Sequence, residues 1–443
     1  MSLASEQLEK LLRDKSCTIG VIGLGYVGLP LAVEYAKKGI KTIGIDVVEE
    51  KVAMLNRGEN YIADINSDWV KEIVASKTFS ATTDFSVCSQ CDIIFICVPT
   101  PFTVNKDPDI SHIVDSTKGV TNSLRAGQLI ILKSTTFPGT TEKYVKPILD
   151  EAGLKCGSEY FLAFSPERID PGNKVWHTAN TPIVVGGITE NCTKLAVLAN
   201  EIIISKVVPV NSPGVAEMEK LLENIFRSVN IALVNELAQL CDRIGVNIWE
   251  VVEAASTKPF GFMPFYPGPG IGGHCILIDP YYLSWMAREY DFVTNFITLA
   301  AEVNESMPFY VRTMIIKEIA KQPVSLSSAN ILILGMAFKK DVDDLRHSPA
   351  LRIAELLLEE GITNITYHDP YIPTTKIGET VYTSTSSITS ELLSSANVVV
   401  ITTDHSVFDY EMIVKNSKVV LDTRNACKHI KDATNVVLLG DGK

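Results

Sequence analysis

No apolar run in this chain reaches the roughly 18 residues that a membrane-spanning helix needs, so an integral helical membrane protein is excluded. The N-terminal MSLASEQLEKLLRDKSC lacks the uninterrupted apolar core of a secretory signal and reads as a short amphipathic lead-in helix. An excess of basic charge is missing too. Forty Lys and Arg face 52 Asp and Glu, a net charge of −12, which removes any broad electrostatic route to nucleic acid or an anionic membrane. The nine cysteines form no paired framework. Only Cys88 and Cys91 stand as C-x-x-C, with no second pair nearby. An odd count without a signal segment implies reduced thiols in the cytoplasm. The histidines show no metal-ligand spacing, so no metal is expected.

What is present is ordinary globular usage, 46% apolar and 21% charged, over 443 residues, a length that favours about three domains. Near-continuous apolar strands recur between helical stretches: CTIGVIG from Cys17, IKTIGID from Ile40, DIIFICV from Asp92, LIILK from Leu129 and PIVVG from Pro182. Such strands, buried on both faces, predict a parallel sheet covered by helices. From Val215 to Ile244 there is neither Gly nor Pro, and the pattern keeps a helical period. This predicts one long spine helix, which also offers a dimer surface; two helices with a bend are the alternative. After the polar stretch KQPVSLSSAN the strand–helix alternation returns in ILILGMAF, ITYHDP, VVVITT and VVLDT. The expected architecture is α/β: two Rossmann-like, doubly wound domains joined by a long central helix. The expected domains are a dinucleotide-binding unit at 1–210, a central helical unit at 211–322 and a second doubly wound unit at 323–443.

Gly23-Leu24-Gly25-Tyr26-Val27-Gly28 follows a strand and opens a helix. In that context the first glycine permits a tight turn, the second lets the backbone approach a pyrophosphate, and the third lets helix pack on strand. Tyr26 and Val27 lie within the same turn. Asp46 closes the next strand at the spacing of the acid that hydrogen-bonds a ribose 2′-OH and repels a 2′-phosphate, so NAD is the expected cofactor. Thr100 and Thr135 stand just past later strand ends, where such sheets bind ligands; they read as cofactor contacts or as ordinary turn residues.

The segment Pro267-Gly268-Pro269-Gly270-Ile271-Gly272-Gly273-His274-Cys275 places four glycines between 268 and 274. Something must approach that backbone closely. A helix is expected to follow near Asp279-Pro280. A cysteine just before a helix N-terminus has its thiolate stabilised, so Cys275 reads as a nucleophile. A buried cysteine in a glycine turn is the bland alternative. His274, its immediate neighbour, is not expected to pair with it.

VIGLGYVGLP, SPERIDPG, EMEKLLENIFRSVNIALVNE, GPGIGGHCILIDPYYL, GMAFKKDVDDLRHSPA and DTRNA occur in one order along nearly the whole chain. With these motifs the chain resembles the nucleotide-sugar 6-dehydrogenases, the UDP-glucose and UDP-N-acetylhexosamine dehydrogenase family. The resemblance implies oxidation of a sugar C6 alcohol to a carboxylate with two NAD reduced, through a thiohemiacetal and a thioester on Cys275. It implies that Lys220 is a proton or oxyanion partner and that Asn224, i+4 on the same helix face, orients intermediates. Arg227 continues that face. Glu167 activates water for thioester hydrolysis, Asp279 is a second acid linked to that water, and Arg168 joins Glu167 at the substrate. Thr135 becomes catalytic as well as cofactor-binding. Lys339 and Arg424 fall near the sugar-nucleotide pyrophosphate, and Arg346 near the cofactor. Gly272 and Gly273 line the substrate.

Ile278 stands where UDP-glucose enzymes usually carry Lys, and Leu277 replaces a Pro frequent in the acetamido-sugar branch. KPFGFMPFYPGPG most resembles the UDP-N-acetylglucosamine 6-dehydrogenase branch, with Phe265 and Tyr266 as an apolar surface for an acetamido methyl. The expectation is therefore a cytoplasmic homodimer or higher oligomer acting on UDP-N-acetylglucosamine or an epimer. UDP-glucose is the alternative substrate, a two-electron hydroxyacid dehydrogenase an alternative enzyme, and a non-catalytic NAD- and sugar-nucleotide-binding scaffold an alternative of another class.

Overall fold

The computed structural model describes residues 2–443 except Ala63, Asp64, Val104, Asn105, Pro171, Lys174 and His274, and of Cys275 the backbone alone. The chain divides into two compact units, Met1–Glu223 with Tyr281–Phe292, and Asn224–Pro280 with Val293–Lys443. Among the described residues no helix is long and apolar enough to cross a membrane.

The first unit is built on strands β1 (Ile19–Ile22), β2 (Thr42–Ile45), β3 (Phe79–Thr82), β4 (Ile93–Ile96), β5 (Leu129–Leu132), β6 (Phe161–Phe164), β7 (Ile183–Gly187) and β8 (Val207–Val210). Their order in the sheet is β3-β2-β1-β4-β5-β6-β7-β8. The apolar runs read from the sequence bury both faces. Ile19, Val21, Phe95 and Ile131 pack one core layer, and Ile22, Ile94, Ile96 and Ile130 the other. Full burial of each such side chain contributes about 1.5–3 kcal/mol. The lead-in helix Leu3–Arg13, capped by Ser2, buries Leu8 and Leu12 against the first layer. Two strands depart from the expected parallel sheet: β7 pairs with β6 antiparallel, and β8 runs parallel to β7. Residues 165–182 contain no helix among those described. A parallel return needs a crossover of a dozen residues or more, usually helical, so without one the chain comes back in the opposite sense.

The spine is a single helix, Pro213–Ile244, of 32 residues. At 1.5 Å per residue it is about 48 Å long. In the second unit β9 (Asn330–Leu334), β10 (Asn364–His368), β13 (Val398–Ile401), β14 (Val420–Asp422) and β15 (Val436–Leu438) form a parallel sheet ordered β10-β9-β13-β14-β15. A hairpin of β11 (Thr374–Ile377) and β12 (Thr380–Thr383) stands apart from it. Ile331, Ile333, Val398 and Val400 face a layer that includes Val234, Ala238, Val311 and Ile315 from the spine and the helix Asn295–Ala320; Leu332, Leu334, Val399 and Ile401 face the other side.

Candidate active site

In the first unit the glycine turn joins β1 to the helix Gly28–Lys37. Gly23 has φ +87°, and a Cβ there would lie 2.8 Å from the Cys97 carbonyl oxygen; at Gly28 it would lie 1.9 Å from the Gly23 carbonyl oxygen. Those two glycines are demanded by the fold itself. Gly25 is different, because nothing lies within 4 Å of the place its Cβ would occupy. Its lack of a side chain leaves open space over the turn, which suits close approach by a ligand. The helix carries no side-chain N-cap at Val27. Its first N–H groups thus keep their affinity for an anion. Asp46 is buried, and its carboxylate accepts the Leu24 N–H at 2.8 Å and the Val48 N–H at 3.0 Å. Tyr61 Oη donates to the Leu24 carbonyl at 2.6 Å. These bonds fix the turn around the acid. Turn, open glycine, uncapped helix end and acid together fit a dinucleotide. Asp46→Asn keeps an acceptor and loses the charge. It is expected to narrow the preference for NAD over NADP by roughly tenfold, about 1.4 kcal/mol, read as the ratio of kcat/KM for the two cofactors.

Thr100 and Thr135 are locked to each other, the Thr100 hydroxyl donating to the Thr135 carbonyl at 2.8 Å. Tyr282 Oη donates in turn to the Thr100 carbonyl. Glu167 lies just past β6. Its Oε1 accepts the N–H groups of Arg168 at 2.9 Å and Ile169 at 3.1 Å. Lys220 is buried on the spine.

Arg168 donates to Glu223, lies 3.5 Å from Glu219 and reaches the Pro182 carbonyl at 2.9 Å. Its guanidinium is thus tied to two spine carboxylates. Burial, then the hydrogen bond and charge of Glu223, push Glu219 up to about 7, while Glu223 is lowered, chiefly by the Arg168 hydrogen bond working against burial. The folded chain holds a proton on Glu219 that the unfolded chain releases near the ordinary glutamate pKa of 4.5. Stability should therefore fall as pH rises from about 4.5 to about 7 and level off above. Glu219→Gln is expected to flatten the melting temperature across that window in thermal scans.

The helix after the glycine segment begins at Cys275, in the second unit, and runs to Ala287, its residues from Tyr281 on belonging to the first unit. It thus starts four residues before Asp279, where the sequence predicts the start, and Pro280 sits inside it. Asp279 lies inside this helix. It stands one turn beyond Cys275, at the i+4 position of the same helix. The Cys275 side chain and His274 lie outside the described residues. Asp279 is fully buried, and Asn224 Nδ2 donates to its Oδ2. Arg227 donates to Asn224 Oδ1. Both ends of the Asn224 amide are thus clamped, which fixes its orientation.

The glycine loop is anchored through the spine. Gly268 N–H donates to Asn235 Oδ1 at 3.0 Å, Asn235 donates to Asn304 at 3.0 Å, and Asn304 to the Ser228 carbonyl at 3.0 Å. A Cβ at Gly268 would meet Arg424 Nη1 at 2.8 Å, and at Gly272 it would meet Phe338 Cβ at 2.4 Å. Gly273 has φ +81° and donates its N–H to the Arg346 carbonyl at 2.8 Å. Phe265 packs edge-on against Phe226, and Tyr266 stacks on Trp249 with centroids 5.8 Å apart. Trp249, Tyr266, Arg424 and Lys428 line a cavity of about 280 Å³. Lys339 is half-buried. Arg346 is exposed and grips Asp344 with two nitrogens.

The sequence reading missed Trp249, Lys428 and the anchoring Asn235 and Asn304. Of these only Asn235 falls within a motif quoted above, and its role shows only through its partners.

Three segments match the UDP-glucose/GDP-mannose dehydrogenase family: its NAD-binding domain at 17–203, its central domain at 214–306 and its UDP-binding domain at 332–429. The chain is 33% identical over 416 residues to a UDP-N-acetyl-D-mannosamine dehydrogenase of Pyrococcus horikoshii, covering 93% of this chain and 96% of the relative. It is 35% identical over 360 residues to a UDP-N-acetyl-D-glucosamine 6-dehydrogenase of Pseudomonas aeruginosa, covering 81% and 84%. The solved UDP-D-ManNAc dehydrogenase of Pyrococcus horikoshii superposes with a TM-score of 0.87 at 31% identity, over 96% of this chain and 99% of that one. The chain therefore belongs to the UDP-glucose/GDP-mannose dehydrogenase family of NAD-dependent oxidoreductases, on the side of its UDP-N-acetylhexosamine relatives.

Proposed function

We propose that this chain oxidises the C6 alcohol of a UDP-N-acetylhexosamine to the carboxylate, with UDP-N-acetylglucosamine or an epimer such as UDP-N-acetylmannosamine as substrate. The observation that carries the reading is Cys275 at the first residue of a helix, with the clamped Asp279 one turn on, in a chain that also holds the NAD turn. A simple alcohol dehydrogenase has no use for such a cysteine, whereas a four-electron oxidation needs a covalent hold on the aldehyde.

Bound through Gly25, the first N–H groups of the helix Gly28–Lys37 and Asp46, NAD supplies the hydride acceptor for each of two oxidations. The alcohol loses a hydride and a proton, the proton passing to a base for which Lys220 is the candidate. The Cys275 sulfur adds to the resulting aldehyde, and Lys220 and Asn224 stabilise the oxygen as charge builds on it. Loss of a second hydride leaves a thioester. Glu167, with Asp279, takes a proton from water, whose oxygen attacks the acyl carbon. The C–S bond breaks, the sulfur leaves as thiolate, and the carboxylic acid gives its remaining proton to solvent to become the carboxylate. One sugar, one water and two NAD would thus yield one uronate, two NADH and three protons.

In the second unit the Trp249–Tyr266 stack beside Arg424 and Lys428 suits a nucleoside diphosphate, an aromatic surface for the base and cations for the pyrophosphate. Lys339 is the further cation proposed there, and Phe265 the apolar surface for the acetamido methyl. Arg346 remains a proposed cofactor contact. Exposed Phe226, Leu233 and Leu240 recur every seventh residue on the spine and support a homodimer. A cytoplasmic setting agrees with the reduced thiols. The test is a panel of UDP-N-acetylglucosamine, UDP-N-acetylmannosamine, UDP-N-acetylgalactosamine and UDP-glucose, assayed for NADH release and product mass. Two NADH per acetamido-uronate are expected. One NADH per sugar overturns the four-electron scheme, and turnover of UDP-glucose alone overturns the substrate.

A further inference from the structure

Lys133 is the first residue beyond β5, and the parallel register sets it between Cys97 beyond β4 and Ser165 beyond β6. Its N–H donates to the Ile96 carbonyl at 2.9 Å, and the Ser165 N–H donates to the Leu132 carbonyl at 2.9 Å. The side chain is 1% exposed, and its Nζ makes no hydrogen bond among the described residues. A buried ammonium is heavily penalised unless an opposite charge faces it. The facing oxygen is Glu167 Oε2, at 3.6 Å. Cys97 lies beside both groups, but burial pushes its thiol up to about 12, so it is neutral and offers Lys133 no counter-charge. Arg168, the other nearby cation, is occupied by Glu223 and Glu219.

Glu167 is thus held from two sides by different means. Two backbone N–H groups fix Oε1. Oε2 accepts no hydrogen bond among the described residues and is faced by the Lys133 charge beyond hydrogen-bonding reach. A lysine that served only to tie down the carboxylate would close on it. At this separation it fixes the direction of Oε2 and leaves the oxygen's lone pairs for a reactant.

We propose that Lys133 is a positioning residue for the hydrolytic half of the reaction, its buried ammonium aiming Glu167 Oε2 at the water that cleaves the thioester. The inference rests on the reading of Glu167 as the group that accepts that water's proton. In the step concerned the proton passes to Oε2, the water oxygen bonds to the acyl carbon, and the sulfur leaves as thiolate. Lys133 itself neither gains nor loses a proton.

The experiment compares Lys133→Met, Glu167→Gln and the double variant, using NAD and the UDP-N-acetylhexosamine turned over fastest by the unaltered chain. Lys133→Met is expected to lower steady-state uronate formation by about 10- to 100-fold, the scale of a misplaced catalytic group. The rapid release of two NADH per site should remain, and acid-quenched protein should carry a sugar acyl group on Cys275 by mass spectrometry. Glu167→Gln should accumulate the same adduct, and the double variant should be no slower than Glu167→Gln alone. Lys133→Met turning over at the unaltered rate overturns the inference. So does a loss of burst and steady state together without adduct, which marks a merely structural role. Glu167→Gln turning over normally, or no sugar being turned over by the unaltered chain, overturns the parent reading and this inference with it. Should Lys133→Met fail to fold, Lys133→Arg and Lys133→Gln decide. The arginine is expected to retain hydrolysis and the glutamine to accumulate adduct, and equal behaviour of the two refutes the assignment.

Discussion

Cys275→Ser is expected to abolish uronate formation while NAD still binds. A serine hydroxyl is not ionised near neutral pH, whereas a helix N-terminus in general favours a cysteine thiolate, and Cys275 is the first residue of the helix Cys275–Ala287. The serine variant can lose one hydride from the alcohol, but the aldehyde then has no strong nucleophile to hold it. At most one NADH per sugar should appear, and carboxylate should fall on the order of 10⁴-fold or more, the scale on which enzymes lose rate when a nucleophile is removed. NAD affinity, read by nucleotide fluorescence, should stay within about twofold, since the substitution leaves the glycine turn, Asp46 and the first N–H groups of the helix Gly28–Lys37 unaltered. Full turnover by this variant would refute the covalent scheme.

Gly28→Ala should bring the second large loss, and Gly25→Ala explains why. A methyl at Gly28 would sit 1.9 Å from the Gly23 carbonyl oxygen and 3.2 Å from Cys97 Cβ. The obstacle is backbone, so either the helix Gly28–Lys37 withdraws or the turn opens. Overpacking of that kind costs about 1–3 kcal/mol of stability. Displaced N–H groups should weaken NAD binding by about 100-fold, close to 2.7 kcal/mol. At Gly25 a methyl meets no protein atom. Gly25→Ala should therefore melt like the unaltered chain and still bind NAD poorly, because only the ligand needs that space. Thermal scans paired with NAD titration separate the two cases. Equal melting temperatures and equal affinities in both variants would sink the assignment of the turn.

Local features of the chain are legible in the sequence. The glycine turn, Asp46 and the unbroken spine are each set by residues adjacent in sequence or one helical turn apart, where short-range sterics decide. The roles proposed for Lys220, Asn224, Glu167 and Asp279 rest on family resemblance, since a lysine or glutamate in isolation reads as surface. The helix start was placed late: a proline is common near a helix start, and the four residues Cys275–Ile278 ahead of Asp279 are held in the helix by context.

By itself, then, the sequence determined the parallel α/β architecture, the dinucleotide turn and the cysteine beside a helix terminus. Periodicity and backbone freedom are properties of neighbouring residues. Only the tertiary structure decided that β7 runs against β6, that Asn224 is clamped between Asp279 and Arg227, that Arg168 is held by spine carboxylates and that Lys133 faces Glu167 from a buried position. Each of these depends on burial and on partners brought together across the fold. Whether a charge stays solvated or is fixed beside another is settled by packing, which the order of residues does not display.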